Sequence, residues 1–249
     1  MDEENYKNQK IVFLIFFIIV IGIILIVATR LKLKEVKEQE ISPFQIGQIA
    51  IFSMVTADEN GTQEKNYWNW DLNQVNDIYL TIFNKERNTD IYLQKLYIDN
   101  IKLLKQPLHG EVYFYRTSLS EDKYFENTDE YLIIDNLEYI VVESSPNNRA
   151  LEIAREGGMI EFRVSNENVA KYVTLPDEKE INIDGTLLKK AKLIKEDIDM
   201  KLSFDISIVV NDKLYITNIK IDLPTGNVLE SELELTERLP LKGFELKLK

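Results

Sequence analysis

Hydrophobic and polar positions along this chain fall into two regimes. Residues 11–29, IVFLIFFIIVIGIILIVAT, carry no charge, and sixteen of the nineteen are Ile, Leu, Val or Phe. As a helix, nineteen residues extend about 28 Å, close to the roughly 30 Å hydrocarbon thickness of a bilayer. At about −0.3 to −0.6 kcal/mol per side chain, the sixteen favour insertion by about 5 to 10 kcal/mol. Lipid offers the backbone no hydrogen-bond partner, so a single spanning helix is predicted even though β-branched residues dominate. Residues 30–44 mix charges with Leu31, Leu33 and Val36 and extend the prediction as a helical stalk. Ser42-Pro43 ends it, because the residue before proline avoids the α region. Residues 1–10 make a short N-terminal tail.

Beyond Pro43 the period changes to two. QIGQIAIFSMV (45–55), DIYLTIFN (77–84), IYLQKLYI (91–98), EVYFYR (111–116) and EYLIIDNLEYIVVE (130–143) read as strands, the last broken near Asp135-Asn136. RALEIA (149–154) meets MIEFRVSN (159–166) across Arg155-Glu156-Gly157-Gly158, where glycine supplies positive φ. MKLSFDISIVV and KLYITNIKIDL flank Asn211-Asp212, a two-residue hairpin signal. VLESELEL (228–235) reads as a late strand, and TLLKKAKLI (186–194) as a short crossover helix. Ile78, Leu80, Ile82 and Asn84 recur as Ile160, Phe162, Val164 and Asn166, and the polar stretch ESSPNNRA (143–150) lies between the two runs. That spacing predicts a duplication, with β-sandwich domains over 45–147 and 148–249, each large enough for its own core. The alternative is one larger β domain in which two strands are alike by chance.

LEIAREGGMIEFRVSNEN (151–168) resembles the opening of immunoglobulin-like repeats in bacterial and archaeal surface proteins: a strand, a glycine-containing turn, an alternating strand and Asn. It departs from their commonest pattern by lacking proline in the turn. The resemblance implies Ig-like sandwiches outside a membrane and carries over no active residue. The expected fold is therefore mainly β: an N-terminal transmembrane helix followed by two tandem Ig-like antiparallel β-sandwiches.

Composition narrows the chemistry. The absence of cysteine excludes disulfides and thiolate sites, and one histidine excludes multi-histidine metal centres. Residues 1–44 carry six basic and six acidic side chains, so the entire net charge of −12 belongs to residues 45–249. An acidic body of this kind repels phosphate backbones, so no nucleic-acid partner is expected. No P-loop, GxGxxG, HExxH or GxSxG motif occurs. No catalytic residue, cofactor or metal is assigned.

Candidate contacts are few. Tyr67, Trp68, Trp70 and Asp71 lie in NYWNWD, and the two tryptophans share a face if the segment is extended. Such rings stack on sugars, with Asp71 accepting a hydroxyl hydrogen bond; packing against the sandwich is the ordinary alternative. His109 sits in a Pro- and Gly-flanked turn with no nucleophile nominated beside it. Residues 120–130 form an acidic loop without EF-hand spacing. The Asn60-Gly61-Thr62 sequon reads as a hairpin turn, and LPTG (223–226) lacks the hydrophobic tail of a sorting signal.

These features predict a single-pass protein of the cell membrane, held through residues 11–29. Its partners would be other envelope proteins or cell-wall glycan, and its role scaffold, adhesion or assembly. A carbohydrate-binding module at Trp68 and Trp70 is the alternative. A pilin-like filament component is another, although no basic-residue–Gly processing site precedes Ile11. Counting the basic residues flanking the helix favours a cytoplasmic body, but long domains translocate largely regardless of charge, and the surface-protein resemblance favours an extracytoplasmic one.

Overall fold

Alternating burial marks β1 (Phe44–Glu59), where Ile49, Ile51, Ser53 and Val55 are buried while Phe52 and Met54 between them are only half-buried. The computed structural model describes residues 19–23, 25, 40–60, 68–86, 90–174, 181–240 and 244–249. It divides into residues 1–40 and 41–249. In the first unit, residues 19–23 and 25 are helical. The rest of the predicted span 11–29, the tail 1–10 and stalk residues 30–39 lie outside the described residues. Among the described residues no helix is long and apolar enough to cross a membrane.

The second unit is mainly β, with two sheets. β2 (Asn69–Asn84), β4 (Glu111–Tyr115), β7 (Gly157–Val173) and β10 (Leu235–Leu239) join β1 in the order β10-β1-β2-β7-β4. The other sheet is β11-β9-β8-β3-β5-β6. Its members are β3 (Leu93–Lys105), β5 (Leu137–Val142), β6 (Glu152–Ala154), β8 (Met200–Val210), β9 (Lys213–Leu223) and β11 (Lys247–Leu248). Pairing is antiparallel except between β5 and β6.

One apolar cluster lies between the sheets, drawing Ile49, Ile78, Leu80, Ile160 and Phe162 from the first and Leu96, Ile98, Phe204 and Ile206 from the second. Phe162 meets Phe204 edge to face with centroids 5.2 Å apart, within the favoured range for such pairs. This overturns the boundary expected at 147/148. The two similar strands are neighbours, Ile78 opposite Phe162 and Leu80 opposite Ile160, while β3 pairs with β8. Both halves of the chain thus enter both sheets around a shared core. The two strands look alike because they bury the same face against the same partner layer.

A second, smaller cluster closes one end. Val55, Leu72 and Val169 meet Leu187 and Leu188 of α1 (Gly185–Lys190), Ile198 of α2 (Lys195–Ile198), and Val228 and Leu229 of a 3-10 turn. Asp184 caps α1, accepting a 2.8 Å hydrogen bond from the Thr186 N–H. The predicted helix 186–194 is shorter than expected, ending at Lys190, with α2 lying beyond it, and the strand expected at 228–235 is a 3-10 turn at Val228–Glu230 followed by β10. A polar layer separates the clusters: Ser53 donates to Asn76 (2.7 Å) and accepts from the Thr225 hydroxyl (2.9 Å), and Gln74 donates to Asn76 (2.9 Å).

Turns follow local chemistry where the backbone demands it. Asn211 and Asp212 both take positive φ, 50° and 58°, and join β8 to β9 as expected. Gly157 has φ +105°, and a Cβ there would lie 2.2 Å from the Ile82 carbonyl oxygen. The predicted hairpin across this turn does not form, because β6 belongs to one sheet and β7 to the other.

The chain enters the body where Ile41 bridges Lys247 and Phe44 pairs with Asn84. β2 begins at the opposite end, so its sixteen residues carry the Trp68–Trp70 region about 50 Å from that entry point, at roughly 3.3 Å per residue.

Candidate functional site

Trp68 and Trp70 do come together: their rings stack at 6.4 Å with planes 26° apart. Trp70 packs against the smaller core, and its Nε1 is buried without a hydrogen-bond partner. Trp68 is 38% exposed. Asp71 does not join them. Strand alternation turns it to the outer face of the first sheet, opposite Asp58 and Lys171, where it accepts from the Asn60 amide and lies 3.8 Å from Lys171 Nζ. A sugar stacked on the tryptophans would therefore find no Asp71 carboxylate on that side of the strand. Tyr67, Gly61 and Thr62 lie outside the described residues.

His109 acts as a tether. Its N–H donates to the Asp197 carbonyl (3.0 Å), its own carbonyl accepts from Asn166 (3.0 Å), and its exposed ring lies 3.7 Å from the Asp197 carboxylate.

The acidic loop gives the largest departure from expectation. Residues 116–136 run from β4 to β5, closed at the base by Arg116 N–H to the Tyr131 carbonyl (2.9 Å) and Ile133 N–H to the Phe114 carbonyl (2.7 Å). The segment lies as a strap over the outer face of the first sheet. Beneath it Arg163 of β7 and Asp77 of β2, directly opposite in register, form a two-pronged ion pair at 2.7 and 2.9 Å. Their side chains are only 12% and 6% exposed. The Arg163 guanidinium also donates to the Phe125 carbonyl (3.0 Å) and lies 4.8 Å from that ring's centre. Asn127 donates to Ser165 (3.1 Å) and Glu167 (3.0 Å), and Tyr115 donates to the same Glu167 (2.9 Å).

Glu161 is fully buried under the strap. One carboxyl oxygen accepts from the Tyr124 hydroxyl, and the other has no partner. Its main chain is tied differently. β4 ends at Tyr115, opposite Arg163, so the next backbone pair of β7 on that side, at Glu161, has no strand beside it. The Tyr139 hydroxyl takes that place, accepting from the Glu161 N–H (2.9 Å) and donating to its carbonyl (2.8 Å).

Burial shapes the ionisation of this cluster. Desolvation pushes the Glu161 carboxyl above its ordinary 4.5, the Tyr124 hydrogen bond opposes this, and the nearby Asp77 charge adds to it. Desolvation also raises Asp77, against the pull of Arg163. Tyr79 and Tyr124 are raised, chiefly by burial, and remain protonated. A carboxyl raised on folding holds its proton in the folded chain at pH values where the unfolded chain has released it. Stability therefore falls as pH rises from about 4.5 through the folded value, then levels off. The Glu161→Gln variant is expected to flatten that decline, read as urea midpoints between about pH 4 and pH 8; an unchanged slope would exclude Glu161 as its source.

Sequence reasoning missed this cluster because Arg163 and Glu161 look like ordinary outward positions of an alternating strand. The available signal was Tyr124-Phe125, an aromatic pair inside an otherwise charged loop.

The strap walls a cavity of about 530 Å³ on its tip-ward side. Thr56, Asp58 and Asn73 come from β1 and β2, Arg163 and Glu167 from β7, and Lys123 and Phe125–Thr128 from the strap. Asn73 orients the Asp58 carboxylate through a 2.7 Å hydrogen bond, and Lys123 pairs with Glu126 at 3.2 Å. On the strap's other side Ala50, Phe52, Tyr79 and Met159 line an apolar groove of about 270 Å³. The outer face of the second sheet carries an open depression of about 630 Å³ holding Asp99, Asp135 and Asp205. Among the described residues no three His, Asp or Glu side chains are grouped to hold a metal ion.

Together these features define a two-sheet β protein whose outer face is part-covered by an anchored strap. No family model, no curated protein and no solved structure matches the chain.

Proposed function

We propose that this chain is a single-pass, membrane-anchored, non-catalytic protein whose β body lies outside the cytoplasm and serves as a binding or scaffold component of a cell envelope. The strap-walled cavity is its contact surface. The observation that carries this reading is how the ionisable groups of that cavity are engaged. Arg163 is held by Asp77, Lys123 by Glu126, and Glu167 by Tyr115 and Asn127. Groups fixed in this way shape a surface and do not shuttle protons. The charge-free stretch 11–29 supports the anchor, and the resemblance of 151–168 to Ig-like surface repeats supports the placement.

Protease added to intact cells is expected to remove the body. A body that survives in sealed cells and is lost only after lysis would reverse the placement.

A further inference from the structure

We infer that the strap-walled cavity binds a neutral polyhydroxylated ligand, an oligosaccharide segment. This rests on the reading of that cavity as the contact surface and names what it takes.

Size is suitable, since ligand sites typically span about 300–1,000 Å³ and this one measures about 530 Å³. The lining interleaves acceptors and donors: the Asp58 and Glu167 carboxylates, the Asn73 amide and the Thr56 and Thr128 hydroxyls. A sugar hydroxyl both donates and accepts, so a run of hydroxyls matches such an alternation where a simple ion does not. Several of these groups are already oriented. Asn73 holds Asp58 at 2.7 Å, and Tyr115 and Asn127 hold Glu167 at 2.9 and 3.0 Å. Groups ordered before binding lose less rotamer freedom when a ligand arrives.

Charge argues against an anion. The cations that line the cavity already have carboxylate partners, Arg163 with Asp77 and Lys123 with Glu126. The body is itself acidic. Phe125 is the aromatic member of the lining, held by the Arg163 guanidinium and by edge contacts with Tyr79 and Tyr124. Aromatic walls among fixed hydrogen-bonding groups suit the apolar faces of sugar rings.

The test uses the full chain in lipid nanodiscs, titrated calorimetrically with neutral cell-wall and storage oligosaccharides and separately with oligolysine. At least one neutral oligosaccharide is expected to bind. Asp58→Asn and Thr56→Val should each weaken it about tenfold or more, the usual scale for losing a hydrogen bond to a charged group or leaving one unmade, with thermal unfolding unchanged. Trp68→Ala should leave the affinity within about twofold, as for a residue outside the contact. Binding of oligolysine alone would overturn the ligand class. Loss of sugar binding in Trp68→Ala but not in Asp58→Asn would overturn the location. No binding by any neutral oligosaccharide would overturn the inference entirely. None of these results alters the protease-accessibility result, so the two failures are distinguishable.

Discussion

Replacing Arg163 with methionine is expected to destabilise the body by about 3 to 5 kcal/mol, because it strands the buried Asp77 carboxylate. The geometry makes the effect specific. Arg163 makes two short hydrogen bonds to Asp77, a third to the Phe125 carbonyl, and covers the Phe125 ring. All of these lie under the strap, with the two charged side chains 12% and 6% exposed. Removing one partner leaves a charge without a counter-ion in low dielectric. Removing both need not. The double variant Asp77→Leu/Arg163→Met should therefore recover much of the loss, since apolar replacement of a buried pair is often neutral. Denaturant unfolding of both singles and the double closes the cycle. In Arg163→Met, limited proteolysis should also cut within 116–136 sooner than in the parent, because the strap loses its central tie. A single variant as stable as the parent would show that the pair is not buried as described.

The second large effect is at Phe162. This side chain is fully buried at the centre of β7 and meets Phe204 across the sheets at 5.2 Å. Phe162→Ala is expected to cost about 3 to 5 kcal/mol, from lost transfer free energy and the residual cavity. A cycle with Phe204→Ala should give a coupling of about 0.5 to 1.5 kcal/mol, the usual worth of an aromatic pair beyond its area. The unfolding should also be one transition, since both halves of the chain share this core. Two transitions, only one of them moved by Phe162→Ala, would favour separate lobes and remove the shared core.

How much of this was legible depends on what kind of interaction decided each element. The strands near 45–55, 77–84, 200–210 and 213–223 were readable because alternation records one buried face, a property of each strand alone. The β8–β9 hairpin was readable because Asn211 and Asp212 tolerate positive φ, again a local matter. At 228–235 the alternation misled. Val228 and Leu229 are buried by the short helices at one end, and a 3-10 turn can bury two adjacent side chains as well as a strand can bury alternate ones. The similarity of 78–84 to 160–166 was real, but it marked adjacency and not repetition. Alternation states that a face is hidden and says nothing about what hides it.

The candidate site divides the same way. The stacking of Trp68 on Trp70 followed from their two-residue spacing. Asp71, one position further on, was turned to the opposite face by that same alternation. Residues 120–130 looked like a solvated acidic loop, and Glu121, Asp122 and Lys123 are indeed exposed. Tyr124 and Phe125 reach Glu161 and Arg163, however, across 37 and 38 residues of chain.

By itself, then, the order of residues determined the mainly β character of the body, part of each of its longest strands, the hairpin at Asn211-Asp212 and the charge-free stretch at 11–29. Each depends on the periodicity or conformational preference of a few consecutive residues. The tertiary structure alone decided that two sheets share one core, that β6 and β7 part company, and that a charged loop becomes a strap over an ion pair. These outcomes follow from burial against distant segments. A strand or loop exposes the same pattern whichever partner covers it, so only the assembled chain can select the partner.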